Sequence, residues 1–363
     1  MILSEIAKYR LINQQISETK IKSAVEMVQW FGAMQAQEYT QTKWALGLRL
    51  PHLKDDDIER NFTEGKIIRI HLLRPTWHFV AAQDIRWMLA LTAPRVNAAN
   101  AYMYRQLELN DTVFNRCNDI LIKTLNGGKH LTRDDINKEF EKNKIIAKGH
   151  RLSYIMMYAE LAGIICSGAK HGTQFTYSLL DERISMTDSL LLDEGLAELT
   201  KRYFLSRGPA TIKDFSTWSG LKLSDCKKGV EIVKSLLNRE VVENQEYFFS
   251  SSISIPEKQV PKIYLLPIYD EFIMGYKDRS AITVFKNNSQ PTSGFHYDNM
   301  IISEGQIIGT WKCATAKKSI DIQFELFKPL NKIQSKAFDN AISRLGEFTN
   351  MTDTYKTNRS LKN

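Results

Sequence analysis

Two glutamines separated by one residue are the side chains in this sequence whose types and spacing could do chemistry. Gln35 and Gln37 follow Gly32, where a preceding helical pattern is predicted to end. In an extended segment residues two apart point the same way, so both amides would converge on one spot. Each amide offers two donors and an acceptor, enough to hold a water molecule and a flipped nucleotide. The alternative is a pair of solvated glutamines at a helix end.

The chemistry open to these amides is positioning and electrostatic stabilisation. An amide does not readily accept a proton near neutral pH, so neither glutamine can serve as a general base. Both could place a water molecule and hydrogen-bond around charge that develops on a bound substrate. Such help suffices when the leaving group is already good.

Five further side chains are candidates for contact with a phosphate-bearing partner. Arg74, Thr76 and His78 lie at the turn and in the second strand of a predicted hairpin, where Thr76 and His78 share a face. Lys170 and His171 lie at the tip of a second predicted hairpin. We predict phosphate contacts for Arg74, Lys170 and His171. For His78 two interpretations stay open, a lesion or phosphate contact and a hydrogen-bonded structural residue.

The adjacent acids Asp270 and Glu271 resemble an acid–base pair, but neighbours in a strand face opposite ways. Capping or packing at a hinge is therefore favoured over catalysis. The sequence has no H-E-x-x-H pattern, no P-loop and no G-x-G-x-x-G, which predicts neither a metal nor a nucleotide cofactor. The four cysteines are scattered and are expected to be reduced and structural.

Composition favours a globular protein with a polyanionic partner. The chain has 363 residues, 43% hydrophobic and 25% charged, with a net charge of +8. Lysines and arginines on a phosphate backbone release counterions, so the basic balance is typical of nucleic-acid binding. Neither a membrane-spanning stretch nor a secretory signal is evident, which predicts a cytoplasmic protein without a membrane partner.

Helix–hairpin patterns recur along the chain and predict an α+β fold, mainly α, with three tandem winged-helix modules. The first has a helix starting near Ser17, two short helices, a hairpin and a further helix. Thr132 and Thr211 are predicted N-caps in the second and third modules. Strand-like runs then predict a β-rich C-terminal domain. The boundaries are 1–110, 111–185, 186–256 and 257–350, followed by a flexible basic tail, 351–363.

Three sequence blocks resemble the AlkZ-like family of bacterial DNA glycosylases. They are Gln35-Ala36-Gln37, Arg74-Pro-Thr76-Trp-His78, and the run from Leu266 to Arg279 with Gly309-Thr-Trp311 after it. The resemblance extends in order over about residues 20 to 315. It implies a C-shaped arrangement of three winged helices with a β-rich domain. It also implies excision of alkylated purines, including bulky and crosslinked lesions, with Gln35 and Gln37 as catalytic residues.

The paired amides then indicate a substrate class. An N7-alkylpurine carries a positive charge and departs as a neutral base, so no acid is needed. We therefore expect hydrolysis of the N-glycosidic bond of cationic N-alkylpurines in duplex DNA. No lysine nucleophile is implied, so the enzyme would be monofunctional and leave an abasic site. Tandem modules could clasp DNA as a monomer. The competing hypothesis is a non-enzymatic winged-helix DNA-binding protein or transcription regulator.

Overall fold

Helices form most of this protein, and small sheets follow them at intervals along the chain. The computed structural model describes residues 1–185, 190–250, 262–283, 298–316, 319–351 and 355–361. The predicted α+β class, mainly α, is confirmed. The division into three winged-helix modules stays a prediction.

In the first segment, helix α2 (Ala24–Phe31) ends at Gly32, as predicted, with a left-handed φ of +74° that only glycine adopts readily. The start of α2 was predicted near Ser17 and is wrong. Ser23 caps the helix instead, because Ser23 and Glu26 bond each other's backbone N–H reciprocally. The elements here are α1 (Leu3–Asn13), α2 (Ala24–Phe31), β1 (Met34–Gln35), α3 (Tyr39–Arg49), α4 (Asp55–Thr63), β2 (Ile67–His71), β3 (Trp77–Ala81) and α5 (Ile85–Gln106).

The next two segments each contain helices followed by an antiparallel pair of strands. Both predicted caps are confirmed, because the Thr132 and Thr211 hydroxyls accept the backbone N–H of Asp135 and Asp214. The elements are α6 (Asp111–Leu125), β4 (Leu131–Thr132), α7 (Arg133–Lys142), α8 (His150–Leu161), β5 (Ile165–Ser167), β6 (Thr176–Leu179), α9 (Leu180–Arg183), α10 (Leu192–Arg207), α11 (Ile212–Ser219), α12 (Leu223–Val233), β7 (Leu237–Val242) and β8 (Gln245–Ser250).

The C-terminal segment contains a five-stranded sheet in the order β13-β12-β11-β10-β9. Its elements are β9 (Ile263–Leu266), α13 (Glu271–Met274), β10 (Asn299–Ser303), β11 (Gln306–Ala316), β12 (Ser319–Leu326), α14 (Lys332–Phe348) and β13 (Tyr355–Leu361). The flexible tail predicted for 351–363 is wrong over 355–361, which pairs parallel to β12. An edge strand gains its pairing from main-chain hydrogen bonds, so a polar sequence does not preclude it.

The sheet β1-β3-β2 lies between two hydrophobic cores. On one face, Met34 and Phe79 pack into a core shared with α3, α4 and the C-terminal sheet. On the other face, Ile70 and Val80 pack into a core shared with α5, α10 and α11. Trp44 of α3 links the first core to the C-terminal sheet, because its indole N–H donates to the carbonyl of Leu265 in β9 at 2.7 Å. The short strand β1 is thereby held from both sides.

Candidate functional site

Strand β1 fixes the backbone of Gln35 within the fold. Gln35 pairs with His78 across the antiparallel β1–β3 ladder. Its backbone N–H donates to Glu271 Oε1 at 2.8 Å, and its carbonyl accepts from Thr42 Oγ1 at 3.0 Å. The residue is only 6% exposed. Contacts from three separate parts of the chain therefore position Gln35.

The side-chain amide of Gln35 has a defined orientation. Its Oε1 accepts from Arg74 Nη2 at 2.8 Å. Since a guanidinium can only donate, the amide atom facing Arg74 must be the oxygen. The Nε2 group makes no hydrogen bond to the residues that the structure describes. Gln35 thus presents two N–H donors away from Arg74.

Gln37 begins a bend between β1 and α3 and is half-buried. The predicted extended backbone is confirmed as far as Ala36, whose N–H donates to the Trp77 carbonyl at 2.7 Å. Arg69 holds the next two peptide groups, donating from Nε to the Ala36 carbonyl at 2.9 Å and from Nη2 to that of Gln37 at 3.2 Å. The amide of Gln37 itself bonds to none of the described residues, so both its donors and its acceptor are free for a ligand.

Arg69 acts from the opposite face of the sheet. Its guanidinium lies over the rings of Trp77 and Phe175, at 4.2 and 4.8 Å from their centroids. Burial lowers the pKa of Arg69, while the Glu160 carboxylate opposes that shift. The cation–π contacts and the two carbonyl bonds fix the direction in which the chain leaves β1.

Arg74 is engaged inside the protein. Besides Gln35, its guanidinium donates through Nη1 to the carbonyls of Thr217 and Trp218 at the end of α11. Burial lowers its pKa, and the nearby Glu271 carboxylate counteracts this. Both terminal nitrogens already have protein partners, whereas the predicted phosphate contact would need at least one of them to bind DNA.

His78 is fully buried, with 0% exposure. A contact with a lesion or phosphate, one of the two interpretations left open for His78, is therefore not made in this conformation. Its Nδ1 lies 2.9 Å from the Thr76 carbonyl, and because a carbonyl only accepts, Nδ1 carries a hydrogen. Burial lowers the pKa of His78 well below its ordinary value, and the charge of Arg74 acts in the same direction. The ring is neutral, and Nε2 is an acceptor.

One polar atom of His78 and one of Thr76 have no partner in the part of the chain that the structure describes. His78 Nε2 and Thr76 Oγ1 are both buried and make no hydrogen bond to the described residues. Leaving a buried polar atom unpaired costs about 1–3 kcal/mol, so such atoms are as a rule satisfied by ordered water. Thr76, predicted to contact DNA, therefore directs its hydroxyl into the protein.

Substituting His78 should change how stability depends on pH. Because its native pKa lies below the unfolded value of about 6.5, the unfolded chain binds a proton here that the native chain does not. This contribution is fully present above pH 6.5 and is lost as the pH falls, by up to about 1.4 kcal/mol per pH unit. Urea unfolding between pH 7 and pH 5 should therefore show a shallower loss of stability in His78→Gln than in wild type. Parallel losses would contradict a buried neutral imidazole.

The second hairpin places its two predicted residues differently. His171 is exposed at the tip, where it pairs with Gln174. Lys170 instead forms an ion pair with Glu59 of α4, at 3.1 Å, and lies 4.9 Å from the ring centre of Tyr39. His171 is thus available for the predicted phosphate contact, whereas Lys170 would first have to leave Glu59.

Asp270 and Glu271 are both structural anchors. Asp270 binds Arg49 through both oxygens, at 2.7 and 2.8 Å, and accepts the Phe272 N–H, which confirms the capping interpretation. Glu271 links Arg207, Trp218 and the backbone of Gln35 in a buried network. Glu271 therefore has no free oxygen with which to act as a base. Sequence reasoning missed its link to Gln35, and no local pattern signals it.

The described ranges offer few other candidate sites. Within them no group of three or more His, Cys, Asp or Glu could hold a metal ion. Nor is any helix there long and apolar enough to cross a membrane. A cavity of about 760 Å³ lies between α3, β9 and α14, lined by Trp44, Leu265 and Ala337 among others, and includes none of the predicted site residues.

Comparisons with known proteins identify the family and the fold of this chain. A family described as DNA glycosylase AlkZ-like matches residues 28–348. The DNA glycosylase AlkZ from Streptomyces sahachiroi has a similar solved structure, with a TM-score of 0.78 and 17% sequence identity. The alignment covers 99% of each chain, so the two folds correspond from end to end. No curated protein matches the chain significantly.

Proposed function

This chain belongs to the AlkZ-like DNA glycosylase family, and from that premise we propose that it excises cationic N-alkylpurines from duplex DNA as a monofunctional enzyme. DNA glycosylase activity, with DNA as the partner, follows from the family. The substrate class, the product and the roles of Gln35 and Gln37 are the proposal. The observation that carries it is a motif in which Arg74 orients the Gln35 amide, while the Gln37 amide makes no hydrogen bond to the described residues.

The amides match the needs of a cationic leaving group. The C1′–N9 bond breaks, and the electron pair leaves with an N7-alkylpurine that becomes neutral. Water then forms the bond to C1′ and gives its proton to solvent. Gln35 and Gln37 supply hydrogen bonds to the water and to the charge developing on the sugar, which is catalysis by positioning and electrostatics. A neutral base such as uracil leaves poorly without further help.

Hydrolysis by water is favoured over attack by a lysine because the lysine nearest in sequence to the two glutamines is already held in ion pairs. Lys43 of α3 forms ion pairs with Asp55 at 2.6 Å and Glu59 at 2.8 Å. A paired ammonium is a poor nucleophile towards C1′, since it must lose its proton and its partners first. We therefore propose that the product is an abasic site in an unbroken strand, and that one copy of the chain suffices.

The direct test uses duplexes that carry one N7-methylguanine or one uracil. Base release from N7-methylguanine well above spontaneous depurination, and none from uracil, is the expected result. Strand breaks should appear only after alkaline treatment, since the enzyme leaves the backbone intact. Breaks formed without alkali would contradict the monofunctional proposal. Tight binding without release, on this and on bulkier cationic adducts, would contradict the substrate class.

A further inference from the structure

The bond between Arg74 and Gln35 fixes which way the glutamine can be used. Arg74 spans β1 and α11, with Nη2 on Gln35 Oε1 and Nη1 on the Trp218 carbonyl. The planar guanidinium holds both acceptors in one fixed geometry, which an ammonium cannot do. With Oε1 occupied, the Gln35 side chain offers a ligand only its Nε2 hydrogens.

His78 stands beside that amide. Gln35 and His78 are direct cross-strand partners, so their side chains leave the same face of the sheet with Cβ atoms about 4.5–5.5 Å apart. The Thr76 carbonyl fixes the tautomer of His78 and leaves Nε2 as an acceptor. That acceptor and the Thr76 hydroxyl are both buried, and neither has a hydrogen-bond partner among the described residues. The Gln35 amide and the unsatisfied acceptor of His78 therefore belong to neighbouring side chains on one face of the sheet.

We propose that Arg74 and His78 are positioning residues that make Gln35 a hydrogen-bond donor towards the substrate. Arg74 holds Oε1, and a buried water shared by His78 Nε2 and Thr76 Oγ1 accepts one Nε2 hydrogen. The second Nε2 hydrogen is then directed towards the reacting water or sugar. The inference rests on the proposed catalytic role of Gln35. It replaces the predicted DNA contacts of Arg74, Thr76 and His78 with contacts inside the protein.

His78 acts here without taking a proton from the water. An imidazolium at this buried position would lie close to the guanidinium groups of Arg74 and Arg207, which disfavours it. The water's proton therefore leaves to solvent, and the ring contributes only its acceptor. A carboxylate in place of Gln35 could keep the contact with Arg74 but would have no hydrogen to donate. Gln35→Glu should therefore be as slow as Gln35→Ala.

The inference is tested by double-mutant cycles on single-turnover base release. Arg74→Lys and His78→Phe should each slow release about 10- to 100-fold, while the Kd for the same duplex stays within about threefold. In a Gln35→Ala background neither substitution should slow release by more than about threefold, because both act through Gln35. His78→Gln, whose Oε1 can replace Nε2 as the acceptor, should restore most of the rate.

Two results would overturn the inference. One is a higher Kd for DNA in Arg74→Lys that persists in the Gln35→Ala background. The dependence of log Kd on log salt concentration would then also decrease by about one unit, the amount expected for one lost phosphate contact. The other is a loss of rate from Arg74→Lys or His78→Phe that is as large in the Gln35→Ala background as in the wild-type background. If His78→Phe does not fold, Arg74→Lys and Gln35→Glu still decide the question. A wild-type rate for Gln35→Ala would instead refute the proposed function, and the two failures are thereby distinguishable.

Discussion

Base release from a duplex carrying one N7-methylguanine should fall about 10²–10³-fold in Gln35→Ala and in Gln37→Ala. Removing one preorganised donor at the site of developing charge has effects of this size in other enzymes. Gln35 is held by Arg74, Glu271 and Thr42. Its side chain is therefore already oriented before the reaction, and Gln35→Ala removes this preorganised donor. Single-turnover kinetics, with abasic sites revealed by alkali, measure the effect. The affinity for undamaged duplex should change little.

Glu38→Gln is the matched control for this loss. Glu38 follows Gln37 directly, is exposed, and makes no side-chain capping bond to α3. If the amides act by positioning, removing this neighbouring carboxylate should leave the rate within about threefold of wild type, as a solvated surface change. A loss in Glu38→Gln as deep as in the glutamine variants would assign the chemistry to a general base and contradict catalysis by amides alone.

Local patterns in the sequence predict the elements around the site but not the contacts that orient it. The runs 66–73 and 76–80 predict the hairpin β2–β3, because β-prone residues flank a proline turn. Strand β1, with two residues, is too short to carry a periodic pattern. It exists because β3 offers a free edge to the chain leaving Gly32.

The long-range polar contacts at the site were harder to predict from the sequence than the secondary-structure elements. The sequence places Arg74 and His78 at a hairpin, predicts a phosphate contact for Arg74 and leaves two interpretations open for His78. In the structure each faces inward, because β1 and α11 bring acceptors to Arg74 from positions 39 and 144 residues away. Hydrogen-bond partners at such separations follow from tertiary packing, which periodicity and capping rules do not encode. The residue types at the site could be predicted from the sequence, but the direction in which each side chain points could not.

The largest effect on stability is expected for Glu271→Ala. Glu271 is 1% exposed, and its carboxylate accepts hydrogen bonds from Arg207, Trp218 and the backbone of Gln35. The Arg207 side chain is itself 0% exposed, so the alanine variant leaves a buried cation without its counter-ion. Breaking a buried pair in this way costs about 3–5 kcal/mol, far more than the Coulombic attraction between exposed charges contributes. Urea unfolding measures the difference.

The control for that loss is a surface pair of the same chemistry. Asp181 is bonded to Arg86 at 2.7 Å with its side chain 73% exposed, so Asp181→Ala should cost less than about 1 kcal/mol. Glu271→Gln keeps the shape and one acceptor but loses the charge, and should fall between the two. Since the same carboxylate holds the backbone N–H of Gln35, Glu271→Gln should also slow base release. A Glu271→Ala variant as stable as Asp181→Ala would mean that water can replace the carboxylate, and the anchor of β1 would then have to lie elsewhere.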